Sequence, residues 1–156
     1  MRRDSESSLA LLSVRRDPDS VIDGLLVIDQ AQNLPSVDLR EQLYRRVPLV
    51  LADLELSGSL PRGCPVYVYE ASMVHPPVRL DIIQSYLDAV LQGFLREFGR
   101  GGVERFIAET EGFDARLIAD RKKPNYPRSV VLGAEEEVYF DALIAQIIPE
   151  FAPFVR

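Results

Sequence analysis

Three side chains that could move a proton or orient a substrate stand three residues apart in the segment VDLREQLYRRV, residues 37–47. They are Asp38, Glu41 and Tyr44. In a helical turn this spacing places side chains next to one another. A carboxylate in such a group could act as a general acid and base if an apolar environment raised its pKa. The residue types and spacing of this segment therefore suit general acid–base chemistry.

A structural interpretation of the same spacing is also open. Asp38 could be the N-cap of a short helix, and Glu41 could return the hydrogen bond, as in a capping box. Caps of this kind are common and stabilise a helix without any role in catalysis. The residues of this segment do not by themselves decide between the two interpretations.

Other forms of catalysis have few residues to use. The chain has one cysteine, Cys64, and one histidine, His75, so disulfide frameworks, Cys/His zinc sites and Ser-His-Asp arrangements are not expected. No phosphate-binding glycine motif and no metal-ligand spacing occurs, so we predict neither a metal nor a cofactor. Cys64 is expected to be a small, semi-buried hydrophobe. His75 is expected in a loop, without a role.

The composition is typical of one soluble globular domain spanning residues 1–156, with 47% hydrophobic and 27% charged residues. The net charge of −6 is spread evenly, with eight basic and eleven acidic residues in 1–78 and ten and thirteen in 79–156. This balance argues against a nucleic-acid partner. The apolar runs are too short to cross a membrane and the first residues form no apolar signal core, so a cytoplasmic location is predicted.

Apolar runs bounded by turn-forming residues predict strands in a β-rich part of about residues 9–72. The predicted strands are residues 9–14, 21–28, 45–56 and 65–70. Pro48 has no backbone donor, so its run is expected to be an edge strand or to carry a bulge.

Residues 78–156 are predicted to be mainly helical. Apolar residues recur at three- and four-residue steps from about Arg79 to Phe98, and the glycines that follow end this helix. We expect its apolar stripe to pack in the core and not to line a cofactor pocket. A short helix is predicted at Val103–Thr110. A last one is predicted from Glu135 to about Ile148, with three glutamates in its first turn, where they complement the helix dipole.

The segments DGLLVI, LPSVDLREQLYRRV, PVYVYEA and YLDAVLQGF, in this order, resemble the gamma-glutamylcyclotransferase-like superfamily. Glu41 and Tyr44 fall on the Glu and Tyr of its L-D-x-x-E-x-x-Y turn, with Val37-Asp38 where Leu-Asp is usual. The resemblance covers about residues 9–145. It implies an α+β fold, a small mixed β-barrel with a helical C-terminal layer.

The resemblance also implies an activity, the cyclisation of a γ-glutamyl amine or peptide to 5-oxoproline. The substrate's free α-amine attacks its own γ-carbonyl, so the connectivity of the substrate already brings the reacting groups together. One carboxylate can then carry the proton from the attacking to the leaving nitrogen, and by resemblance Glu41 has this role. Tyr44 would orient the carboxylate or the substrate, or else fill a half-buried position in the barrel.

A later segment, TEGFDARLIADRKKPNYPRSVVL, resembles a C-terminal extension of some bacterial members, with Phe113 where Trp is more usual. It contains three candidate substrate-binding residues, Arg121, Tyr126 and Arg128, because the fork of an arginine suits a carboxylate. The alternative is an extended, proline-bounded loop that packs Tyr126 on the barrel.

The N-terminal Y-G-S strand and loop of this family, which holds the glutamyl group and the oxyanion, has no counterpart here. Three interpretations stay open: the true start lies upstream, the chain folds without catalysing, or a partner chain or second copy adds a strand at the open barrel edge. We favour the first, with impaired catalysis as its result. The rival function is a non-catalytic module that binds a small ligand or a protein.

Overall fold

A computed structural model describes residues 9–71 and 80–148; His75 therefore lies outside the described residues. The chain divides into two compact units, and each is described by itself. The helical unit comprises Met1–Leu11, Asp19–Gly24 and Pro77–Arg156, and the hairpin unit comprises Leu12–Pro18 and Leu25–Pro76. That the two make one domain stays a prediction. None of the helices in the described ranges combines the length and apolar character needed to cross a membrane.

The hairpin unit is built on two antiparallel strands that follow a short helix. In chain order it contains a 3₁₀ turn at Ala31–Asn33, helix α1 at Leu34–Arg40, strand β1 at Tyr44–Leu49, a second 3₁₀ turn at Leu51–Asp53 and strand β2 at Val66–Ala71. Pro48 lies in β1, and among the strands of residues 9–71 and 80–148 β1 pairs with β2 alone, which agrees with the predicted edge position.

The two faces of the hairpin differ, because side chains alternate along a strand. One face, here called the tyrosine face, carries the cross-strand pairs Tyr44 with Ala71, Arg46 with Tyr69, and Pro48 with Tyr67. The opposite face carries Arg45 with Glu70, Val47 with Val68, and Leu49 with Val66. Polar and aromatic groups are thus concentrated on the face that begins with Tyr44.

The predicted β-barrel is wrong. Within the described residues the fold is mixed α and β, but its strands form two separate sheets of two strands each, and neither sheet closes. The runs 9–14 and 21–28 form no strand; only Leu9 makes a bridge, to Asp81. Val27 in the second run is 87% exposed. A short apolar run forms a strand only where another strand satisfies its backbone groups, and no described strand does so here.

The helical unit packs two helices with a small parallel sheet. Its elements are strand β3 at Asp81–Ile83, helix α2 at Gln84–Glu109, strand β4 at Arg116–Ile118 and helix α3 at Ala134–Ile147, with β3 paired to β4. The buried core cluster consists of Ile82, Leu87, Leu91, Val103, Phe106, Phe140, Ile144 and Ile148. The apolar stripe of α2 therefore packs in the core, as predicted.

The limits of the helices differ from the prediction at one end. Helix α2 begins at Gln84 and not near Arg79, because Asp81–Ile83 pairs with β4 as a strand. It continues to Glu109 through a kink at Gly99, whose φ is 67°. The two helices predicted on either side of the glycines are thus the two segments of α2. Helix α3 agrees with its prediction, including the three glutamates in its first turn.

The kink in α2 leaves no room at Gly102. An added Cβ there would overlap Cβ of Phe98 and lie 3.2 Å from its Cγ, whereas a Cβ at Gly93 would meet nothing within 4 Å. We predict that Gly102→Ala lowers the free energy of unfolding by about 1–3 kcal/mol, because overpacking displaces Phe98. The matched control Gly93→Ala should raise it by up to about 1 kcal/mol, through helix propensity. Urea titration of both variants tests this, and equal effects would contradict it.

Candidate functional site

Glu41 lies where α1 ends and the chain turns into β1. Its backbone N–H donates to the Val37 carbonyl at 2.9 Å, and its carbonyl accepts from the Tyr44 N–H at 2.8 Å. Its side chain is 28% exposed and accepts a hydrogen bond at Oε1 from Nε of Arg40, at 2.8 Å. The residue at the N-cap of α1 is Asn33, and Asp38 lies inside the helix. The capping-box interpretation is therefore wrong.

Tyr44 is the first residue of β1 and lies close to Glu41. Its hydroxyl donates to the Leu12 carbonyl at 3.4 Å. Burial, and then the negative charge of Glu41, raise the pKa of Tyr44. Arg45 lies on the opposite face of the strand and pairs with Glu70 at 3.0 Å. The structure thus brings Glu41 and Tyr44 together, with Arg40 as the cation next to the carboxylate.

A polar network on the tyrosine face was not predicted from the sequence. Arg46 donates through Nη1 to both carboxylate oxygens of Asp38, at 3.0 and 2.9 Å, and the Tyr69 hydroxyl donates to Asp38 Oδ1 at 2.7 Å. The hydrogen bond to Asp38 raises the pKa of Tyr69. Predicting this network requires the register of β1 and β2, which places Arg46 opposite Tyr69.

The other candidate residues lie in the helical unit, directly after Asp120. The contacts of Asp120 with Ser85 show how helix α2 begins. Asp120 is buried and receives three hydrogen bonds: at Oδ1 from the Ser85 N–H (2.7 Å), and at Oδ2 from the Ser85 hydroxyl (2.7 Å) and the Asn125 N–H (2.8 Å). Ser85 is in the first turn of α2, whose N–H groups have no partner within the helix. Asp120 thus caps α2 from a distant loop.

Arg121 is held by two carboxylates of the helices. It donates from Nε and Nη2 to Asp88, at 2.7 and 2.9 Å, and its Nη1 lies 2.8 Å from Asp141 Oδ1. Burial disfavours the charge of Arg121, but these carboxylates outweigh it and raise its pKa. The contact to Asp141 is an ion pair without aligned hydrogen-bond geometry. The guanidinium that sequence reasoning assigned to a substrate therefore joins α2 to α3.

Tyr126 and Arg128 continue the same loop. The Tyr126 N–H donates to the Ser85 hydroxyl at 3.2 Å, and its ring packs edge-on against Tyr86, with centroids 5.0 Å apart. Arg128 is exposed, and its guanidinium carbon lies 5.7 Å from the centroid of the Tyr126 ring. Arg121, Tyr126 and Arg128 are therefore neighbours along one loop, whereas Glu41 and Tyr44 belong to the hairpin unit.

Two further observations bear on the chemistry of the described residues. Cys64 is exposed, so the expectation of a semi-buried side chain is wrong. Between residues 9–71 and 80–148, no group of three or more His, Cys, Asp or Glu side chains is arranged to hold a metal ion.

No protein-family model matches the chain, and neither the curated proteins nor the solved structures contain a significant match. The resemblance described above therefore rests on the motifs of the sequence.

The carboxylate of Asp120 predicts a pH dependence of stability. Burial opposes its ionisation, but the hydrogen bonds from Ser85 and Asn125 prevail and lower the pKa of Asp120. Its stabilising effect is therefore complete above the pKa of the unfolded chain, about 4, and is lost as the pH falls through the folded value. We predict that Asp120→Asn costs about 2 kcal/mol at neutral pH, and that this cost shrinks below about pH 4.

Urea unfolding of the wild type and of Asp120→Asn between pH 2.5 and 7 measures this difference. Glu97→Gln, at an exposed carboxylate of α2, the helix that Asp120 caps, is the matched control and should change the stability little at any pH. A cost of Asp120→Asn that stays constant over the whole pH range would contradict the assignment.

Proposed function

We propose that the chain acts on a γ-glutamyl amine or peptide and converts its glutamyl group to 5-oxoproline, with Glu41 as general acid and base. The observation that carries the proposal is the position of Glu41 and Tyr44 at the turn between α1 and β1, where the Tyr44 N–H donates to the Glu41 carbonyl and the Glu41 side chain is 28% exposed. These are the two residues that fall on the Glu and Tyr of the family's motif. The proposal requires neither a barrel nor a role for Arg121.

The chemistry needs one group that accepts a proton and returns it. The substrate's α-amine forms a bond to its γ-carbonyl carbon, and the bond from that carbon to the leaving nitrogen breaks. The Glu41 carboxylate takes the proton from the attacking nitrogen and delivers it to the leaving one. Arg40 occupies Oε1, whereas Oε2 of Glu41 has no partner among the described residues. That oxygen is the one available for the transfer.

Tyr44 supports this role by its position. Burial, and then the negative charge of Glu41, raise the pKa of Tyr44, and a phenol with an ordinary pKa of about 10 is already protonated at neutral pH. If it gives up its 3.4 Å hydrogen bond to the Leu12 carbonyl, the phenol can donate to the carboxylate or to a substrate oxygen. The proposal includes a cytoplasmic location, with which the exposed, unpaired Cys64 agrees, since free thiols are usual in a reducing compartment.

A second candidate function is a non-catalytic binding module, and the exposed apolar residues of the hairpin unit favour it. Leu25, Leu26, Val27 and Ile28 are consecutive and between 44% and 87% exposed. Exposed apolar surface of this kind often marks a binding site. An extended strand from a partner protein or a second copy of the chain could pair with this run and cover its side chains.

Glu41→Gln tests the catalytic proposal. We expect the wild type to release 5-oxoproline from γ-glutamyl amines or peptides, and the variant to lose at least about 100-fold in kcat, because glutamine cannot transfer the proton. Glu55→Gln, at an exposed carboxylate of the same unit, is the control and should keep wild-type turnover. Equal turnover in Glu41→Gln and the wild type would remove Glu41 from the mechanism. Saturable binding without turnover, measured by calorimetry, would favour the second candidate.

A further inference from the structure

The network on the tyrosine face joins helix α1, which Glu41 directly follows, to both strands of the hairpin. Asp38 belongs to α1, Arg46 to β1 and Tyr69 to β2. The carboxylate of Asp38 receives two hydrogen bonds from Arg46 and one from Tyr69, all between 2.7 and 3.0 Å. One side chain of α1 is thereby fixed to two strands at once.

Helix α1 has little else to fix its place. It has seven residues, none of them buried, and Leu39 is 71% exposed. A helix of this length is not stable by itself in water and depends on its contacts with the rest of the protein. Since its apolar residues Leu34 and Val37 are only half-buried, the position of α1 depends largely on polar contacts.

Asp38 is also in the right place to control Glu41. The two residues are three apart, with Asp38 in the last turn of α1 and Glu41 as the C-cap residue that directly follows it. Tyr44, the proposed partner of Glu41, lies on the same face of the hairpin as Arg46 and Tyr69. The hydrogen bonds at Asp38 therefore link the end of α1, where Glu41 lies, to the strand that carries Tyr44.

We propose that Asp38, Arg46 and Tyr69 form a positioning network for Glu41, which holds α1 on the hairpin so that the carboxylate meets the reacting nitrogen in one geometry. This inference rests on the proposed function, to which it adds three residues that do not touch the substrate. Such a network acts on the rate more than on stability. The Asp38 and Arg46 side chains are 41% and 32% exposed, and exposed ion pairs contribute little to folding, whereas small displacements of a catalytic group are costly.

Tyr69→Phe tests the inference, because it removes one hydroxyl and keeps the ring. Tyr67→Phe is the matched control: Tyr67 lies on the same face, the change keeps the ring against which the Arg46 guanidinium lies, and no hydrogen bond of its hydroxyl is found among the described residues. We expect Tyr69→Phe to lower kcat about tenfold with KM within about twofold of the wild type. The pH–rate profile should keep its shape, since the acid–base group is unchanged.

Hydrogen exchange of α1 supplies a readout that does not depend on turnover. The Glu41 amide, bonded to the Val37 carbonyl, should exchange about tenfold faster in Tyr69→Phe and in Asp38→Asn than in the wild type or Tyr67→Phe. Urea unfolding should show similar global stability in all four proteins.

The outcomes separate the inference from the function on which it rests. Unchanged exchange of α1 in both variants would overturn the inference, as would faster exchange with unchanged kcat. A wild type that forms no 5-oxoproline would overturn the proposed function, and the positioning role with it. Slower turnover and faster exchange together, absent in Tyr67→Phe, would support the network.

Discussion

In the helical unit, two adjacent residues of one loop satisfy the polar groups that the helices leave buried. Asp120 receives the hydrogen bonds of the first turn of α2 through Ser85, and Arg121 neutralises Asp88, whose side chain is 2% exposed. A buried carboxylate without a partner costs several kcal/mol, and a buried helix end without a cap leaves backbone donors unsatisfied. The start of α2 and its contact with α3 therefore depend on the Asp120-Arg121 pair.

The hairpin unit contains a smaller arrangement of the same kind. Asp38 is bonded to Arg46 and Tyr69, and the exposed surroundings make these contacts matter for position more than for stability. In both units a carboxylate accepts hydrogen bonds from elements that are distant in the sequence. In the hairpin unit Asp38 holds helix α1, and Glu41 directly follows that helix. The geometry of the proposed site therefore depends on contacts between residues that no single sequence motif contains.

The helices could be predicted because their signal is local. The apolar period of α2 and the three glutamates of α3 are read within one segment, and the core placement of the α2 stripe follows from them. The strands were less predictable. The run 21–28 has the composition of a strand, but a strand forms only against a partner strand, and the composition of the run does not show whether it has one. The same reason applies to the site. The spacing of Glu41 and Tyr44 is local, whereas Ser85, the side-chain partner of Asp120, and the two carboxylates that hold Arg121 lie 20 or more residues away. The sequence around an arginine does not show whether its guanidinium binds a carboxylate of a substrate or one of the protein.

The most direct test of this account is the free energy of unfolding of Arg121→Met, compared with Arg128→Met at an exposed arginine of the same loop. Because Asp88 would be left buried without a counter-charge, we predict that Arg121→Met loses about 3 kcal/mol or no longer unfolds cooperatively. Arg128→Met should stay within about 0.5 kcal/mol of the wild type. Equal stabilities of the two variants would contradict the account and return Arg121 to the set of candidate ligand-binding residues.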